Sequence, residues 1–170
     1  ALAGLASTRL GNRVLDYDTI HAGDSDWVLL PPFDHPDDSA HCQVTGTGLT
    51  HVASVRNRDA MHGGQASNAP LTDSMKVFQW GVERGKPEGG GIGVQPEWFY
   101  KGDGSILRAH GEDLVRPCFA EDGGEEPEIA GLYRIGEDGV PWRIGYAGGN
   151  EFSDHAMERR NYLYLAPSKL

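Results

Sequence analysis

No stretch of this chain approaches the roughly 18 consecutive apolar residues of a membrane span, which speaks against a membrane protein. Basic residues are scarce. Fifteen Lys and Arg stand against 25 Asp and Glu, a formal charge of −10 over 170 residues. Such a surface repels phosphate backbones, so nucleic acid is a poor partner and a metal ion or small molecule a better one. Cysteine is nearly absent. Cys42 and Cys118 lie far apart without metal-ligand spacing. Free thiols in a reducing compartment are the default, and one disulfide is the alternative. The opening ALAGLASTRLGNRVL reads poorly as a signal peptide, because Ser7, Thr8 and Arg9 break its apolar run. A cytoplasmic protein is the expectation. There is no internal repeat and no low-complexity tract beyond short glycine clusters.

What the chain does have is glycine, 24 residues, with 10 prolines. That argues for many turns and against a helix bundle. The length suits one domain with a sizeable core. Leu2, Leu5, Leu10 and Val14 predict a short amphipathic helix within residues 1–20. WVLLPPF (27–33) reads as a short strand or docking segment, and CQVTGTGLTHVASV (42–55) as a strand followed by a turn. LTDSMKVFQWGVERG predicts a helix capped by Thr72 or Asp73 and ended by Gly85. From residue 94 onward the texture becomes β-rich. VQPEWFYKG, SILRAH, PEIAGLYRIG, PWRIGYAGGNE and NYLYLAPSKL are strand candidates separated by turn signals. The run NYLYLAPSKL stops at Leu170 without a polar tail, which suggests a piece of a longer chain.

The carboxylates carry the chemistry. In a strand, residues i and i+2 share a face, so Glu126 and Glu128 converge while Glu125 faces away. Pro127 places them at a sheet edge or strand start, where a ligand has access. Like charges held together raise each other's pKa, and a hard divalent cation removes that cost. Mg²⁺, Mn²⁺ and Ca²⁺ are the candidates. The bland reading is a solvated acidic turn. Glu151 ends an apolar run after a glycine pair. Glu97 and Lys101 bracket the aromatic block Trp98–Tyr100, and Lys169 ends an apolar segment. An apolar lining lowers a lysine's pKa and raises a glutamate's, which suits proton transfer. For Lys101 the alternative is a snorkelling surface lysine. Lys101, Asn150 and Ser168 are candidate substrate-binding residues.

GVQPEWFYKG, EEPEIAGLYRIG, GNEFSDH and NYLYLAPSKL, in this order, resemble the fumarylacetoacetate hydrolase (FAH) superfamily. The resemblance is best over residues 90–170 and is closest to the sugar-acid branch that includes 2-keto-3-deoxy-arabinonate dehydratases. It implies an α+β fold, a β-rich mixed roll preceded by a smaller α/β N-terminal part and incomplete at both ends. The division it suggests is 1–41 as the N-terminal segment and 42–170 as the first part of the catalytic domain. It carries metal-binding acids onto Glu126, Glu128 and Glu151, with Mg²⁺ as the usual ion. Position 151 is usually Asp in the family. The later-strand lysine falls on Lys169, and a candidate general acid on Glu97. Many members have Gly-x-Asn-Tyr and then a His that activates water with a Glu. Here TGTGLTHVASVRNRDAMH puts His51 where the Tyr is usual and Ser54 near the expected His. Either His51 or His62 takes over, or the dyad is absent, which favours a dehydratase.

The implied function is a Mg²⁺-dependent dehydratase of a 2-keto-3-deoxy sugar acid, acting through a metal-stabilised enolate, in a homodimer or larger homo-oligomer. Lys169 would be base or charge stabiliser, Glu97 general acid and His51 a further catalytic residue. The alternatives are a C–C bond hydrolase of an acylpyruvate-like diketo acid and a non-catalytic metal-binding relative.

Overall fold

The computed structural model describes residues 14–35, 37–61 and 70–170. Most of the helix expected over residues 1–20, and His62, lie outside the described residues. The chain divides into two compact units, Ala1–Pro32 with Arg108–Asp113 and Phe33–Leu107 with Leu114–Leu170. In the first, the short helix α1 (Tyr17–His21) begins where the Asp16 side chain accepts from Thr19 N at 3.0 Å. His21 stacks on His110, ring centroids 4.1 Å apart. The 27–32 stretch forms no regular element. Pro31 and Pro32 deprive it of two ladder donors.

The second unit holds the remaining elements. They are β1 (Gln43–Thr47), α2 (Val52–Met61), α3 (Asp73–Arg84), β2 (Trp98–Asp103), β3 (Gly124–Ile135), β4 (Pro141–Ser153) and α4 (His155–Glu158). Helices together with two small antiparallel sheets make this an α+β chain. β1 pairs with β2, with a bulge at Val44/Thr45. β3 and β4 form a long hairpin. Its turn closes where Gly136 N donates to Val140 O at 2.9 Å. Gly139 there takes φ 76°, a conformation that favours glycine. The register sets Glu126 opposite Glu151 and Glu128 opposite Gly149.

Helix α3 forms where its punctuation predicts. Thr72 Oγ1 accepts from Met75 N at 3.3 Å, and Gly85 ends it. Two expected strands do not form. SILRAH gives a 3₁₀ turn, Gly104–Ile106, with the Asp103 side chain accepting from Ser105 N at 2.8 Å. NYLYLAPSKL gives a 3₁₀ turn, Tyr162–Tyr164, and a single sheet-like bridge between Ser153 and Lys169. Asn161 Oδ1 accepts from Leu163 N at 2.9 Å, and Ser168 Oγ donates to Leu165 O at 2.8 Å. These local bonds use backbone groups that a ladder would need.

Among the described residues the buried apolar side chains are Cys42, Val55 and Ala120, while Glu151, Ser153, Asp154 and Ser168 are buried polar ones. Cys42 and Cys118 are free thiols. No described helix is long and apolar enough to cross a membrane. The densest burial of polar groups lies at the end of β4, and the candidate site is built there.

Candidate functional site

Alternation along β3 puts Glu126 and Glu128 on one face and Glu125 on the other. Glu151, directly opposite Glu126, shares that face. Strand β2 contributes Phe99 and Lys101 from its less exposed side. Lys101 Nζ lies 2.8 Å from Glu128 Oε2 and forms an ion pair with Glu151 Oε1. Lys169 Nζ lies 2.8 Å from Glu151 Oε2, 3.2 Å from Ser153 Oγ, 3.3 Å from Glu158 Oε2 and 3.4 Å from Glu126 Oε1. Each oxygen of Glu151 thus faces one ammonium. These three are the best shielded charged side chains of the cluster, 5% exposed for Glu151 and Lys169 and 8% for Lys101. Both ammoniums stand 5.7 Å from the centroid of the Phe99 ring, within cation–π range.

Two glycines make room for this crossing. A Cβ at Gly46 would come within 2.6 Å of both Lys101 Cε and Phe99 Cζ. A Cβ at Gly124 would overlap the imidazole of His155, whose Nε2 lies 3.0 Å from Glu126 Oε1.

Asp154 anchors the floor. It is fully buried. Its carboxylate accepts from Met157 N at 2.9 Å and Glu121 N at 2.8 Å, and its own N donates to Ser168 O at 2.8 Å. One residue therefore ties the end of β4 to the approach to β3, to α4 and to the segment carrying Lys169. The bond from Met157 N is the largest influence holding its pKa below the ordinary value, against the upward push of burial.

The charges tune one another. Burial pushes the Glu126 carboxyl upward. The Lys169 ammonium and hydrogen bonds from His155 and Ser153 outweigh it, so the carboxyl sits below its ordinary range. Burial pushes Lys169 downward. The hydrogen bond to Glu151 and the charges of Glu151, Glu158 and Glu126 outweigh that, so the ammonium is held above its ordinary value. These directions reverse the expectation from an apolar lining. The segments that shield these groups also bring opposite charges to them, and the ion pairs prevail.

Five of the expected site residues meet here: Lys101, Glu126, Glu128, Glu151 and Lys169. Four others have different partners. Glu97 accepts from Ser74 Oγ at 2.9 Å and from the Tyr162 hydroxyl, whose pKa rises through burial first and Glu97 second. His51 is exposed at the start of α2, its Nδ1 accepting from Ser54 N at 3.2 Å. Asn150 Oδ1 accepts from Glu126 N at 3.2 Å and steadies the strand. Ser168 is fully buried and donates to its own loop. Sequence reading missed Ser153, Asp154, His155 and Glu158. The signal was present in GNEFSDHAME: an Asp directly after an apolar strand is a helix N-cap. The helix it starts presents His155 and Glu158 at i and i+3, on one side.

The donor set fits a hard divalent cation. Glu126, Glu128, Glu151 and Glu158 supply four carboxylates against the two ammoniums of Lys101 and Lys169, with the His155 imidazole beside Glu126. Glu151 Oε1 is buried and, although paired in charge with Lys101, has no hydrogen bond. Among the described residues the group of three ligand atoms that lie within 4.8 Å of one another is Glu126, His155 and Glu158, rather than the expected Glu126, Glu128 and Glu151. No family model matches the chain, and no curated protein or solved structure matches it.

Proposed function

We propose that this chain carries the active site of a Mg²⁺-dependent dehydratase acting on a 2-keto-3-deoxy sugar acid, on a roll of the FAH superfamily type. The observation that carries this reading is the convergence of Lys101, Glu126, Glu128, Glu151 and Lys169, from four separate segments, on one shielded cluster. They are the residues onto which the family resemblance maps the metal site and its lysine, joined by Lys101. Glu126, Glu128 and Glu151 would hold the ion, which when bound supplies Lewis-acid polarisation to a 2-oxo carboxylate. Lys169, held as an ammonium, would stabilise negative charge on a substrate oxygen. Lys101 orients the substrate carboxylate. Glu97, the residue before β2, would be the carboxyl group for the departing hydroxyl, which requires it to leave Ser74 and Tyr162. The working protein would be a cytoplasmic homodimer or larger assembly.

The hydrolase alternative needs a His–Glu pair on water: His51 is engaged as a helix-start acceptor and His62 lies outside the described residues, while His155 with Glu126 is the His–Glu pair at the cluster. The non-catalytic alternative draws on the closed ion-pair network, in which both lysines are neutralised internally. Incubation of the protein and Mg²⁺ with 2-keto-3-deoxy-pentonates and, separately, with acylpyruvates decides among the three by product mass. Loss of one water from the pentonate is the expected result. A shortened carbon chain from the acylpyruvate assigns the hydrolase, and no product from either assigns the non-catalytic relative.

A further inference from the structure

We propose that Lys101 and Lys169 are internal counter-ions that compete with the divalent cation for Glu126, Glu128 and Glu151, so that cation and anionic substrate bind cooperatively. This inference deepens the proposed function and rests on its metal site. Every carboxylate assigned to the cation is already in an ion pair with an ammonium: Glu128 with Lys101, Glu126 with Lys169, and Glu151 with both. Glu126 and Glu128 pair through one oxygen each and Glu151 through both, so a cation that draws Glu151 to itself must withdraw it from both lysines. Each ammonium thereby loses its best-shielded partner, and what stays is the more exposed Glu128 beside Lys101 and Glu126 and Glu158 beside Lys169.

The two ammoniums are almost entirely shielded from water. A shielded charge that loses its partner is costly. The Phe99 ring that both overlie holds them in place and offsets only part of that loss. An anion arriving beside them restores the balance. Glu151 therefore fills, in the resting chain, the seat that a substrate carboxylate takes once the cation has drawn Glu151 away. The cation strengthens anion binding and the anion strengthens cation binding by the same factor, as linkage requires.

The test measures Mg²⁺ affinity by calorimetry on wild type, Lys101→Met and Lys169→Met. Removing a competitor is expected to tighten Mg²⁺ about tenfold or more in each variant, within the usual range of coupling between sites. Saturating oxalate should then tighten Mg²⁺ further on wild type than on either variant, since direct chelation is common to all three. A lysine variant that binds Mg²⁺ no more tightly than wild type overturns the competition and leaves the metal site standing. No Mg²⁺ binding by any of the three overturns the metal site as well. If the substitutions unfold the chain, wild type labelled with ¹³C-lysine carries the test. Mg²⁺ is expected to move the ε-methylene resonances of Lys101 and Lys169 and to leave those of Lys76 and Lys86 in place. Four unmoved lysines at saturating Mg²⁺ overturn the proposal.

Discussion

Glu151 and Lys169 are where the chain concentrates its charge. The pKa shifts at this cluster translate into stability. Lys169 is raised above its ordinary 10.5, so its contribution is fully present below that pH and is lost as pH climbs through the folded value. Glu126 is lowered from its ordinary 4.5, so its contribution is present above that pH and is lost as pH falls through the folded value. The urea midpoint is expected to hold a plateau between these limits and to fall on both sides. In Lys169→Met the alkaline fall should flatten, with about 3–5 kcal/mol lost on the plateau because Glu151 and Glu158 lose a buried partner. An unchanged alkaline limb in that variant would assign it to another group. What the sequence shows of these side chains is their type and their i, i+2 placement. It does not show that the cations beside them are lysines of the same chain.

Punctuation governs the elements. Helix α3 is read from residues alone, because its cap is local: Thr72 Oγ1 needs only Met75 N, three residues on. Thr72→Ala is expected to cost about 1 kcal/mol, read as a lower urea midpoint with an unchanged denaturant slope. No loss would mean that packing rather than the cap sets this terminus. The final segment shows the opposite case. NYLYLAPSKL has the apolar and aromatic content of a strand, but a strand needs a partner edge. Ser153 offers one bridge, and Asn161 and Ser168 turn the rest of the segment back on itself. Lys169 still arrives at the carboxylates, by a turn rather than by a ladder.

Across the second unit, apolar burial is thin and polar burial is concentrated. The outer hairpin stays in solvent, with Ile129 82% and Trp142 62% exposed, while Glu151, Ser153, Asp154 and Ser168 are shielded. A two-stranded ribbon is marginal in water without a covered face, so its inner end depends on the ion cluster and on Asp154. A cation that binds only the folded chain should therefore raise the stability of the whole unit. At 100 times its dissociation constant, Mg²⁺ is expected to add about 2.7 kcal/mol, read as a higher melting temperature that EDTA reverses. The double substitution Glu126→Gln with Glu128→Gln should abolish that gain. A gain that survives it would move the ion elsewhere.

The α+β class was implied by the family resemblance, while residue types and local spacing gave the hairpin strands, the capped helix α3 and the shared face of Glu126 and Glu128. Each of these depends on contacts within a few positions along the chain or on the period of two of a strand. The meeting of Lys101, Glu151, Glu158 and Lys169 depends on strand register, on the bare backbone at Gly46 and Gly124, and on Asp154 joining three segments. The sign of the pKa shifts followed from that meeting. Burial alone pushes Lys169 down and Glu126 up, and opposite charges supplied by distant segments reverse both.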